Sequence, residues 1–157
     1  DFHKAKVLLP TAQLDWTEVA MIGTMDTGIM AQNVLLAAES LGLGGVFIGA
    51  LRNDIEAVSH LLGLPEFCVP LLGLCLGYPA QNPPPKPRLP HSLMFFENRY
   101  AEPDAQALAQ YDAELRAYYQ NRIDEERDWL YSIRKTLNGP VRPQILPFLQ
   151  SKGFLKQ

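Results

Sequence analysis

The sequence predicts a domain of mixed helix and strand in which helices predominate, and three observations lead there. A nearly uninterrupted apolar stretch, Val19 to Leu41, has the length of a helix and runs into glycines. Two short apolar runs, around residues 44–49 and 69–79, have the length of buried strands. The C-terminal third carries apolar and aromatic residues at helical spacing and has little strand character. With 157 residues, 47% of them hydrophobic and 20% charged, the chain has an ordinary globular composition and can bury a core.

Taken in order, residues 5–9, "AKVLL", read as a short strand closed by Pro10. The long helix begins near Asp15, which with Glu18 has capping-box spacing, and it stops at Gly42 or Gly44. A helix this apolar is expected to be buried on most sides. Gly23, Thr27 and Ala31 line up as a small-residue track for another helix, in the same chain or across a two-fold axis. Because the chain offers few elements to cover so apolar a helix, a dimer interface is the preferred reading. Asp26 inside this helix is expected to be paired and structural.

"GGVFIGALRNDIEAV", residues 44–58, reads as a buried strand, a tight turn and a helix capped by Asn53 with Glu56 behind it, which places Arg52 at a helix N-terminus. Its glycines do not spell a dinucleotide fingerprint, and glycines around a short strand are often only structural. Residues 69–79 form a second buried strand that leads into "PPPKPRLPHS", residues 83–92. In an extended, proline-stiffened backbone Lys86 and Arg88 project the same way, which makes either an anion clamp or a solvated loop. Phe95 and Phe96 are expected to fill core or interface. Residues 104–122 make an amphipathic helix with Leu108, Tyr111, Leu115 and Tyr118 on one stripe, continued by Arg122. A charged helix over about 124–137 follows, and Pro143, beside Arg142, starts a last short helix to about Ser151.

Lys+Arg 14 against Asp+Glu 17 give a net charge of −3, so nothing broad in the charge points to nucleic acid or an anionic membrane. The apolar stretch is interrupted by Asp26, Gln32, Asn33 and Glu39, which argues against a membrane span. Cys68 and Cys75 match neither a CxxC nor a zinc pattern and read as buried free thiols, which with the lack of a signal-peptide pattern suits a cytoplasmic protein without a metal site. His3, His60 and His91 stand apart, with no nucleophile elbow, HExxH or P-loop. What remains is a set of separate cations, Arg52, Lys86, Arg88, Arg122 and Arg142, beside glycine-rich and apolar surface. That set suits an aromatic, anionic ligand whose chemistry resides in a cofactor.

"MAQNVLLAAESLGLGGVFIGALRNDIEAV", "VPLLGLCLGYPAQNPPPKPRLP" and "ALAQYDAELRAYYQNR", in this order, resemble the bacterial NADPH-dependent, oxygen-insensitive nitroreductases and flavin reductases. The resemblance implies an α+β fold with a central sheet flanked by helices, and a long buried interface helix. It further implies a homodimer with FMN at the interface, residues 1–100 as a partial FMN-binding core and residues 101–157 as a helical extension embracing the partner. Lys86 and Arg88 match a Lys-Pro-Arg element at the flavin and its phosphate. Phe47, Ile48, Gly49 and Ala50 match a strand end beside the flavin ring, with Phe47 where Tyr is frequent and Ala50 where a second Gly is usual. Arg122 matches an arginine holding the NADPH phosphate, and Arg52 and Arg142 match basic positions near the cofactor mouth.

The resemblance also implies a further N-terminal stretch, with a His-Arg-Ser-x-x-Arg element for the FMN phosphate, that has no counterpart here. The expected function is hydride transfer from NADPH through FMN to nitroaromatics, quinones or free flavin in ping-pong order. The alternative is a catalytically incomplete dimerising fragment or short form.

Overall fold

The computed structural model describes residues 1–157, which form two units, Asp1–Gln81 with Arg142–Gln157, and Asn82–Val141. In chain order the elements are α1 (His3–Leu8), α2 (Thr17–Ser40), β1 (Gly44–Ile48), a 3-10 turn (Ala50–Asp54), α3 (Ile55–Leu61), β2 (Gly73–Gly77), a second 3-10 turn (His91–Leu93), α4 (Ala105–Ile123), α5 (Trp129–Leu137) and α6 (Ile145–Ser151). Helices predominate, and the strands form one antiparallel pair running from Gly44 opposite Gly77 to Ile48 opposite Gly73.

The strand predicted over residues 5–9 is instead helix α1. Lys4, Ala5, Lys6 and Leu8 favour helix, and no strand lies beside them to offer a ladder. The Asp1 carboxylate accepts the His3 N–H at 3.0 Å, and the Phe2 N–H donates to the Phe67 carbonyl at 2.8 Å.

Helix α2 is present as predicted and is about 36 Å long. The predicted capping box does not form: Trp16 is the N-cap, and its side chain donates to Gln13 Oε1 at 3.3 Å rather than capping the helix. Asp15 is engaged by the C-terminus, whose Lys156 N–H donates to the Asp15 carbonyl at 2.9 Å and whose Gln157 Nε2 donates to the Asp15 carboxylate at 2.8 Å. The small-residue track packs within its own chain. Thr27 Oγ1 donates to the Gly23 carbonyl at 2.7 Å, Phe2 lies against Gly23, and Ala31 is buried.

The other side of α2 carries exposed Ile22, Met25, Ile29 and Leu36. The helix expected to be buried on most sides is thus buried only at Ala31 and Ala38, because one chain supplies too few elements to cover it. Asp26 is exposed rather than buried. By length and composition α2 is also apolar enough to cross a membrane, a test that core helices of soluble proteins pass as well.

Both strands were expected to be buried, yet Leu76 is exposed, and so are Val46 and Cys75, which share the side of the two-stranded sheet that α2 does not cover. Cys68 is half-buried, and both thiols are free. Helix α3 is capped one residue later than predicted: the Asp54 carboxylate accepts the Ala57 N–H at 3.1 Å, and Arg52 lies inside the 3-10 turn rather than at a helix start. Ile55 is buried, and Phe154 meets Phe67 and Phe2 edge-on at 5.7 and 6.2 Å. Pro143 lies in the turn before α6 rather than in its first residue.

In the second unit, α4 follows the predicted stripe. Asp104 caps it by accepting the Gln106 N–H at 2.8 Å, and Tyr111 and Leu115 are buried. Helix α5 begins later than predicted, because Asp124 ends α4 in the left-handed region (φ 53°) and Asp128 caps the new helix through the Tyr131 N–H at 2.6 Å. Asp112 accepts the Trp129 and Leu130 N–H groups at 2.7 and 3.2 Å, which fixes α5 on α4. Phe95, expected in core or interface, is 73% exposed in this chain, while Phe96 packs on Tyr100 at 5.0 Å.

Leu115 is 1% exposed, so Leu115→Ala is expected to cost about 2–5 kcal/mol. Urea unfolding followed by Trp129 fluorescence checks this, and a loss below about 1 kcal/mol contradicts the packing.

The hydrogen bond from Arg116 (2.7 Å), and after it the Tyr131 N–H, hold the Asp128 carboxyl below the usual carboxylate range. A lowered folded value adds stability above the unfolded pKa that is lost as pH falls through the folded one. The Arg116 side chain is 55% exposed, so the effect is small. Asp128→Asn keeps a good cap without the charge. Thermal midpoints of parent and variant are expected to differ near neutrality and to converge in acid.

Candidate functional site

The segment that follows β2 has no regular structure from residue 81 to residue 90. Burial nevertheless alternates along it: Lys86 and Arg88 are exposed, and Pro87 and Leu89 are half-buried. Both cations are thus open to solvent on a proline-rich segment, beside half-buried neighbours. The Lys86 ammonium lies 5.2 Å from the Tyr119 ring centre, and the Arg127 guanidinium lies 6.0 Å from the same ring and 5.9 Å from that of Tyr131. Arg122 sits 5.7 Å over Tyr118 and donates to its hydroxyl. Aromatic faces orient cations without neutralising them, which leaves Lys86 and Arg122 able to meet an anion.

The remaining predicted residues belong to the first unit. Phe47 is exposed on β1, Ile48 and Gly49 are half-buried, and Ala50 opens the 3-10 turn with its methyl toward open surface. Arg52 folds back and donates through Nη1 to the Leu71 carbonyl, which ties the turn to the segment before β2. Arg142, in the left-handed region at φ 51°, donates from Nε to Asn53 Oδ1 at 2.9 Å. Gln144 donates from Nε2 to the carbonyls of Asn53 and Arg52, at 3.0 and 3.2 Å. Arg52 and Arg142 are thus brought to one turn, at the end of the strand that carries Phe47.

Several of these participants were not predicted. Arg127, Tyr119 and Tyr131 complete the cation–aromatic cluster of the second unit. The i, i+4 spacing of Tyr118 and Arg122 was a readable signal for one of its pairs. Gln144 and Asn53 meet across 91 residues, and no local pattern announces that pairing. An open charged groove of about 920 Å³ on the second unit, lined by Asp112, Arg116, Asp128, Tyr131, Arg134 and Lys135 among others, includes none of the predicted site residues.

Residues 16–78 match the model of the nitroreductase family, and residues 86–157 match that of the nitroreductase family, C-terminal domain. The oxygen-insensitive NADPH nitroreductase of Salmonella typhimurium is 49% identical over 156 residues, 98% of this chain and 65% of that protein. Nitroreductase A from Vibrio parahaemolyticus superposes with a TM-score of 0.94 at 46% identity, over all of this chain and 65% of that one. The NADPH:FMN oxidoreductase from Vibrio harveyi, solved in complex with NAD+, gives a TM-score of 0.92 at 47% identity, again over all of this chain and 65% of that one. The chain therefore spans just under two thirds of the length of these relatives. Family models over 16–78 and 86–157, close structural superposition and the α+β architecture establish that this chain belongs to the nitroreductase family.

Proposed function

We propose that this chain forms the larger part of a cytoplasmic, homodimeric oxidoreductase that uses FMN and NADPH to reduce nitroaromatics, quinones or free flavin. The observation that carries this reading is the exposure of Lys86 and Arg88 on a proline-rich segment whose Pro87 and Leu89 are half-buried. The exposed cations Lys86 and Arg88 suit an anionic group, and the strand end, taken by itself, with exposed Phe47 and half-buried Ile48 and Gly49, suits a planar ring. The names of the relatives, an NADPH nitroreductase and an NADPH:FMN oxidoreductase, point the same way.

FMN, when bound, would supply the hydride chemistry between NADPH and the acceptor, in ping-pong order under this proposal. The protein residues bind and tune. Lys86 offers a positive charge to the reduced, more anionic ring, and Arg88 pairs with phosphate or ring edge. The backbone of Phe47 to Ala50 receives the ring, and Arg122 meets the 2′-phosphate that distinguishes NADPH from NADH. Arg142 and Arg52 stand as secondary cations for the nicotinamide nucleotide, Arg52 with one amino group already engaged by Leu71. The exposed stripe of α2 receives a second copy, and residues 101–157 supply the extension toward it.

Purified chain saturated with FMN and passed through a size-exclusion column with light scattering is expected to elute as a yellow dimer that NADPH bleaches under nitrogen. A colourless dimer overturns the reading that these 157 residues hold FMN by themselves and leaves this chain as a scaffold.

Arg122→Ala is expected to lower kcat/KM for NADPH roughly tenfold to hundredfold through KM, the usual worth of a hydrogen bond to a charged group, with little effect on NADH. An equal loss with both nucleotides removes Arg122 from the role of phosphate selector.

A further inference from the structure

The turn after β1 is held by a residue far away in sequence. Gln144 Nε2 spans the carbonyls of Arg52 and Asn53, and next to it Arg142 Nε holds the Asn53 side chain. The same turn carries the Arg52 guanidinium back to the Leu71 carbonyl, and that guanidinium occupies the space beside Gly49 where a Cβ would stand 3.1 Å from Arg52 Nη2. Side-chain amides that donate to two successive carbonyls fix the direction of both peptide planes. Here those planes belong to the turn that continues the Phe47 to Ala50 strand end.

We infer that Gln144, assisted by Arg142 and Asn53, is a positioning residue that sets the strand end Phe47–Ala50 for the flavin, so that the C-terminal segment governs cofactor affinity without touching the cofactor. This rests on the proposal that the strand end receives FMN. Arg142 then serves first through Nε, as a brace on Asn53, and its two terminal amino groups lie outside that bond.

The test uses the 157-residue chain and two readouts. Without flavin, hydrogen exchange of the Arg52 amide, which donates to the Gly49 carbonyl at 3.2 Å, reports the turn. Fluorescence titration with FMN reports affinity. Gln144→Ala is expected to speed that exchange and to raise the FMN Kd, each about tenfold, as the loss of two neutral hydrogen bonds implies.

Gln144→Glu adds a readout that a merely structural role does not move. An ionised carboxylate donates to neither carbonyl, so protection is lost at neutral pH. Below the carboxyl pKa of about 4.3 its proton serves one carbonyl and protection returns in part. Unchanged protection in Gln144→Ala, or no recovery of Gln144→Glu in acid, overturns the positioning role. Faster exchange with an unaltered FMN Kd overturns the link to the cofactor while leaving FMN binding by the parent intact. A parent chain that binds no FMN overturns the reading that the strand end of this chain holds the flavin by itself, and the link with it.

Discussion

The first unit depends on how closely α2 lies on β1. Gly45 is the point of approach: a Cβ there would stand 2.4 Å from a Leu35 methyl of α2, 2.8 Å from one of Leu76 on the neighbouring strand and 3.2 Å from the Cys75 carbonyl oxygen. With hydrogen at that position, one long apolar helix covers one face of a two-stranded sheet that would be marginal alone. The start of α2 is then fixed from outside, by the C-terminal residues that bond Asp15 and Thr17. The N-terminal and C-terminal ends of the chain thus share one small core, where Phe2, Phe67 and Phe154 meet edge-on.

This arrangement decides what remains outside. The small residues of α2 face inward, so its larger side chains, Ile22, Met25, Ile29 and Leu36, stay exposed, and the uncovered side of the sheet leaves Val46 and Cys75 exposed too. Isolated exposed apolar residues need no explanation, but a contiguous stripe on a buried-type helix does. In a nitroreductase-family chain spanning two thirds of its relatives' length, a stripe of this kind is read most economically as surface meant to be covered.

Helices α2 and α4 were legible because periodicity over many residues is a strong signal, and the Tyr111–Leu115 stripe is buried as its spacing requires. Starts were less legible. Asp15 and Asn53 both sit at plausible caps, yet long-range partners take them: Gln157 bonds the Asp15 carboxylate and Arg142 bonds the Asn53 side chain. Residues 5–9 were misread because a short apolar run with alternating lysines suits strand or helix equally, and the absence of a neighbouring strand decides between them. At the site, the exposure of Lys86 and Arg88 was legible in a charged, proline-rich run. Gln144 was invisible, since a glutamine has no local pattern and its partners come from the other end of the sequence.

The distribution of polar effort then separates two tasks. Carboxylates do structural work here: Asp54, Asp104 and Asp128 cap helices, and Asp112 fixes α5 on α4. The predicted site is made of cations, backbone and an aromatic strand end, with no acid–base pair for proton chemistry among its residues. Orientation by aromatic faces is suited to such cations, because a carboxylate partner would neutralise Lys86 or Arg122 while Tyr119 or Tyr118 leaves the charge free. Under the proposed function these residues hold an anionic, planar molecule and leave bond-breaking to that molecule, which is the division of labour a flavin enzyme requires.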